Sequence, residues 1–148
     1  MKKLFFLFVI PLILFNCDKD DDGNAPLSFL EKHQGTVWQD SSSGEEYFRF
    51  INNVNSPLES WFFWVDCYEY DLAVFGEGQT ININSNNTFE VETVEFDGLN
   101  EYLDIITLTI SGNSLELSYR YYENGEMYAS GSEFYTASTV DVDSLTLC

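Results

Sequence analysis

Between residues 79 and 136, apolar and polar positions alternate with a period of two. That is the spacing at which successive side chains leave opposite faces of a strand. Turn residues break the alternation at short intervals. Asn124-Gly125 has the chemistry of a two-residue type I′ hairpin turn. It predicts that Tyr121 pairs with Tyr128, Tyr119 with Ser130, Leu117 with Ser132 and Leu115 with Phe134. Gly112-Asn113 predicts a second hairpin, pairing Leu115 with Ile110, Leu117 with Leu108, Tyr119 with Ile106 and Tyr121 with Asp104. A side chain keeps its face across a ladder, so the two hairpins share one apolar face. Thr107, Thr109, Glu116, Ser118 and Arg120 fall on the other.

The same parity extends upstream. A loop at Asp97–Asn100 puts Phe89, Val91 and Thr93 on the apolar face. Near Asn86, a two-residue turn would set Asn82 and Asn84 opposite Val91 and Phe89. A three-residue loop, Ser85–Asn87, sets Ile81 and Ile83 there instead, and burial favours it. Residues 79–136 therefore read as a meander of at least five antiparallel strands. Further strands are expected at 36–40, 46–53 and 60–70, with a last one near 139–147. Residues 26–34 (PLSFLEKHQ) predict one short helix, with Ser28 and Glu31 spaced as a capping box and Gly35 as the stop. The fold class expected is all-β: an up-and-down antiparallel barrel of about eight to nine strands with one short N-terminal helix. A two-sheet β-sandwich is the alternative.

The apolar face changes character near one end. Thr93, Tyr102, Asp104, Tyr119, Tyr121, Tyr128, Ser130 and Ser132 cluster there in the expected register. Hydroxyls and one carboxylate beside an apolar interior suit the mouth of a small-molecule pocket. The competing reading is that Asp104 is solvated at the rim. Trp61-Phe62-Phe63-Trp64 puts two aromatics on each face of its strand. They either pack beneath the C-terminal segment or form an exposed protein-binding patch.

The N-terminus follows different rules. Lys2 and Lys3 precede an apolar run from Leu4 to Phe15, interrupted by Pro11. The run is shorter than the ~20 residues a spanning helix needs. It has the layout of a secretory signal.

Composition sharpens the picture. The chain carries 25 Asp+Glu against 6 Lys+Arg, a formal net charge of -19. Loss of residues 1–16 removes Lys2 and Lys3 and no acid, taking the charge to -21. Only Lys19, Lys32, Arg49 and Arg120 then remain basic. A nucleic-acid partner is not expected, because phosphate binding needs clustered cations. Hydrophobic residues at 45% separate the chain from acidic disordered polypeptides. The single histidine, His33, sits in the short helix, so no His-based nucleophile–base arrangement is suggested. Gly76-Glu77-Gly78 lacks the remainder of a phosphate loop. Asp18–Gly23 matches the start of an EF-hand loop, but the position that needs a bidentate Glu is Phe29. No catalytic residue, metal site or cofactor is expected. A carboxylate-based hydrolase is the least favoured alternative.

Four resemblances complete the reading. Leu14-Phe15-Asn16-Cys17 resembles a lipobox, the site where bacterial lipoproteins are cleaved and the new N-terminal Cys is acylated. Cys17-Asp18-Lys19-Asp20-Asp21 is similar to the surface-export signal of Bacteroidetes lipoproteins. These imply a signal peptide at 1–16, lipidation at Cys17, an acidic tether at 17–25 and one domain at 26–148. They also imply an outer-membrane lipoprotein exposed at the cell surface, held to the membrane by its lipid. With Cys17 acylated, Cys67 and Cys148 remain, and an oxidising compartment predicts one disulfide between them. Gly35-Thr36-Val37-Trp38 after a short helix resembles the opening of lipocalin-like domains. That resemblance implies that Trp38 closes one end of the barrel and that a disulfide tethers the C-terminal segment. Asp143-Ser144-Leu145 is similar to the Bacteroidetes O-glycosylation site.

The function expected is non-enzymatic binding of a small hydrophobic or amphipathic molecule within the barrel. Such a cavity should open beside Tyr102, Asp104, Tyr121 and Tyr128. The alternative is a protein-interaction module, an acidic inhibitor or a component of a surface complex.

Overall fold

The computed structural model describes residues 26–148; the expected signal peptide, lipidation at Cys17 and acidic tether fall outside the described residues. Helix α1 (Phe29–His33) forms where the capping pattern placed it. The Ser28 hydroxyl accepts from the Glu31 N–H at 3.3 Å, and the Glu31 carboxylate accepts from the Ser28 N–H at 2.9 Å. Nine strands follow: β1 (Val37–Asp40), β2 (Glu46–Phe50), β3 (Leu58–Trp64), β4 (Cys67–Ala73), β5 (Gln79–Ser85), β6 (Thr88–Phe96), β7 (Glu101–Ser111), β8 (Ser114–Glu123) and β9 (Glu126–Ser138).

All pair antiparallel in one sheet of order β4-β3-β2-β1-β9-β8-β7-β6-β5. Each strand lies beside its sequence neighbour except at one place. There β1 joins β9, fusing the meanders β1–β4 and β5–β9. The all-β, up-and-down expectation with one short helix holds. A closed ring does not form: among the described residues no ladder joins β4 to β5. Both edges are protected in the way exposed edges usually are. β4 carries Glu69 and Asp71, and residues 146–148 pair with its Tyr68. β5 is bulged and docks against α1.

The sheet curls so that its halves face one another. Phe48, Phe50, Phe89, Val91, Leu108, Ile110, Leu115 and Tyr135 meet on the concave side with Trp38. α1 inserts Phe29 and Leu30 into one end of this core. The Phe29 ring lies 4.9 Å from Phe50 and 5.7 Å from Phe89.

Four expectations need correction. Residues 60–70 form two strands, β3 and β4, joined by a tight turn at Val65-Asp66. Val65 sits at φ 60°, a left-handed conformation that β-branched residues rarely adopt, so the sequence carries no turn signal there. Residues 139–147 form no strand. They run across the convex face as a strap with a short 3-10 turn at Val142–Ser144.

The third correction concerns β8–β9. The Asn124-Gly125 turn forms, with positive φ at both residues. A bulge then inserts Tyr128, so Tyr121 pairs with Ala129, Tyr119 with Gly131, Leu117 with Glu133 and Leu115 with Tyr135. Tyr135 turns inward against Phe48, with ring centroids 4.6 Å apart. Phe134 turns out and is 51% exposed. The fourth is at Asn86. The two-residue turn forms, Asn84 faces Phe89, and a bulge restores the Ile81–Val91 pair. The winning interaction is with α1. Asn84 accepts from the Leu30 N–H, Lys32 Nζ donates to Asn87 Oδ1 at 2.7 Å, and His33 Nε2 meets the Asn86 carbonyl at 3.0 Å. A helix start leaves such N–H groups unpaired, and an Asn in the facing strand satisfies one.

Candidate functional site

Inward alternation on β2, β3 and β6–β9 leaves space between the two halves of the sheet. The result is an apolar cavity of about 310 Å³. Phe48, Phe50, Leu58, Phe62, Ile106 and Leu117 supply much of its wall. Polar groups are few, and come from Glu46, Ser60, Gln79 and Thr93. Such proportions are typical of sites for small organic molecules.

Above the end of β1 lies an open polar cleft of about 530 Å³, formed by Asp40, Ser41, Ser42, Glu46, Ser132, Glu133 and Phe134. It exists because β1 stops at Asp40 while β9 continues past it. Asp40 is committed to its own loop. It accepts from the Ser43 and Ser42 hydroxyls and from both backbone N–H groups, which hold its carboxyl well below the usual carboxylate range. Glu133 accepts from the Tyr135 hydroxyl at 3.0 Å. Burial, followed by the charges of Glu133 and Asp40, raises the Glu46 carboxyl. Burial, with Glu46 next, also pushes the Tyr135 hydroxyl well up.

The expected rim cluster is partly assembled. Thr93, Tyr102, Asp104, Tyr119 and Tyr121 share the concave face. Thr93 lines the cavity itself. Burial and the Glu95 charge raise the Asp104 carboxyl. Tyr119, Tyr121 and Tyr128 stack in a row, with centroids 5.1 and 6.1 Å apart. Tyr102 donates its hydroxyl to Asp97 at the β6–β7 loop. Ser130 and Ser132 do not join this cluster. The β9 bulge pairs them with Arg120 and Ser118 on the convex face. The cavity also lies elsewhere than expected: Glu46, Thr93 and Ile106 line it, and Tyr102, Asp104, Tyr121 and Tyr128 do not.

Trp38 is buried in the main core, and its indole N–H has no partner there. The Cys67–Cys148 disulfide is present, with Cα atoms 5.2 Å apart. It pins the strap over Val37, Tyr47, Trp61 and Tyr68, where Val142 is buried among them. Of the aromatic run, Trp61 is thereby covered. Phe62, Phe63, Trp64 and Val65 stay exposed, Trp64 at 65%. Ser144 is exposed on the strap and donates to the Asp141 carbonyl.

Sequence reasoning missed Glu46, Ser60 and the rest of the β2–β3 wall. The loops flanking these strands carry no two-residue turn signal, and β2 buries side chains on both faces (Tyr47 outward, Phe48 inward), so parity had nothing to select. Among the described residues no group of three or more His, Cys, Asp or Glu is arranged to hold a metal ion. No helix among them is long and apolar enough to cross a membrane. Comparison with protein-family models, with curated proteins and with solved structures finds no match.

Proposed function

We propose that this chain is a lipid-anchored envelope protein whose β domain binds a small apolar or amphipathic molecule in its concave cavity. One observation carries the reading: a cavity of about 310 Å³ walled by Phe48, Phe50, Leu58, Ile106, Leu108 and Leu117. A space of that kind, lined by apolar side chains, gains from filling with apolar matter and gains little from water. The anchoring half of the proposal rests on Cys17 and the residues around it.

The neutral dye N-phenyl-1-naphthylamine tests the cavity. The mature domain should enhance its fluorescence saturably, and Leu117→Trp, which fills the space, should abolish the effect while the domain stays folded. Absence of saturable binding would overturn the reading. Cys17→Ser tests the anchor: the variant should leave the membrane fraction, and protease shaving of intact cells reports which side the domain faces.

A protein-interaction role is the second reading. The β3–β4 tip favours it, since Trp64 and Val65 project into solvent. Trp64→Ala should then weaken capture of a protein partner and leave dye binding unchanged.

A further inference from the structure

Glu46 is the residue shared by the apolar cavity and the acidic cleft above it. It faces inward from the first position of β2, opposite Phe62. Its carboxylate has no hydrogen bond or ion pair among the described residues, in contrast to Asp40 and Glu133 beside it. A half-buried carboxylate without a partner is costly unless a compensating charge arrives.

The described residues do not supply that charge. Their cations are engaged elsewhere. Lys32 bonds Asn87 at the α1 end, Arg49 holds Glu59 and Asp143 on the convex face, and Arg120 meets Glu90 on the same convex side. His33 is turned to the Asn86 carbonyl. A second unspent group lies lower on the same wall. Ser60 is 7% exposed and lines the cavity, and its hydroxyl has no hydrogen bond among the described residues. It pairs with Phe48, two residues along β2 from Glu46, so the two groups are diagonal neighbours on the concave face.

We infer that the cavity takes a small cationic amphiphile, with a protonated amine seated against Glu46 and Glu133 and an apolar body in the chamber below. Ser60 offers the one further polar contact along that wall. The inference rests on the cavity reading above and deepens it. The acidic surface around the mouth would concentrate such a ligand, and charge at the mouth sets preference among headgroups more than it sets total affinity.

Three eight-carbon probes separate the possibilities by displacing N-phenyl-1-naphthylamine from the full mature domain. Octylammonium should bind tighter than octanol by about tenfold at low salt, with octanoate weakest, and the margin should shrink as salt is added. Glu46→Gln should remove most of the ammonium preference and leave octanol displacement unchanged, which also shows that the variant is folded. Equal binding of ammonium and alcohol overturns the charge inference and leaves the cavity reading standing, as does a preference that survives Glu46→Gln. Failure of all three probes and of the dye overturns both.

Discussion

Arg49 grips Asp143 through two parallel hydrogen bonds of 2.9 and 3.0 Å, joining β2 to the C-terminal strap across 94 residues of sequence. The same guanidinium donates to Glu59 at 2.8 Å and lies over the Trp61 ring, 5.3 Å from its centroid. A forked, planar cation suits this triple duty in a way Lys would not. The consequence is a second, small core on the convex face, with Val142 as its plug.

Acid should release the strap before it unfolds the sheet. The hydrogen bonds from Arg49 hold the Asp143 carboxyl below its ordinary value. A lowered folded-state value means that this contribution is present above the unfolded-state range and is lost as pH falls through the folded-state value. Trp61 fluorescence should therefore change in a local transition below about pH 4. Asp143→Asn should remove that transition, and far-ultraviolet circular dichroism should stay constant through it.

Reduction should act on the same contact more strongly. The Cys67–Cys148 bridge closes a loop of sequence separation 81. In the chain-entropy model such a closure stabilises by roughly 4 kcal/mol. Cys67→Ser together with Cys148→Ser should lower the urea midpoint accordingly and expose Trp61 to quenchers. An unchanged midpoint would show that the strap adds nothing to global stability.

Phe50 is the hinge between α1 and the sheet. It is 1% exposed, with its ring 4.9 Å from Phe29 and 5.4 Å from Phe48. Phe50→Ala should cost about 3–5 kcal/mol in denaturant unfolding. Because Phe50 also walls the cavity, the variant should bind a bulkier apolar dye than the parent does.

Gly131 makes room for a tyrosine. A Cβ there would fall 2.6 Å from the Tyr119 ring carbon that bears the hydroxyl. Gly131→Ala should push Tyr119 off Tyr121 and break the stacked row. The expected reading is a loss of near-ultraviolet tyrosine dichroism, with a stability change within about 1–3 kcal/mol, the usual range for local overpacking.

Much of the sheet was legible from alternation. The β7–β8 register follows residue for residue from Gly112-Asn113, and the β6–β7 register from the loop at Asp97–Asn100. The capping box at Ser28 and the Cys67–Cys148 pairing were also legible. Of the candidate site, the sequence pointed to Thr93 alone among the cavity-lining residues; Asp104, Tyr119 and Tyr121 share its face but stand outside the wall. The β2–β3 wall was hidden, because Glu46 and Ser60 sit on strands whose connections lack turn signals.

Local chemistry thus determined the strands and turns of the 79–136 meander and where the helix starts, but neither the β3–β4 hairpin nor the strap. Those outcomes depend on side-chain period, caps and turn residues, all short-range properties. The tertiary structure alone decided the two bulges, the open seam between β4 and β5 and the path of the strap. Each of these is settled by contacts between distant residues: Tyr135 against Phe48, Asn84 against Leu30, Arg49 against Asp143. A one-residue bulge turns every later side chain of its strand to the other face. For that reason Ser130 and Ser132 left the concave face, and Glu133 arrived beside Glu46.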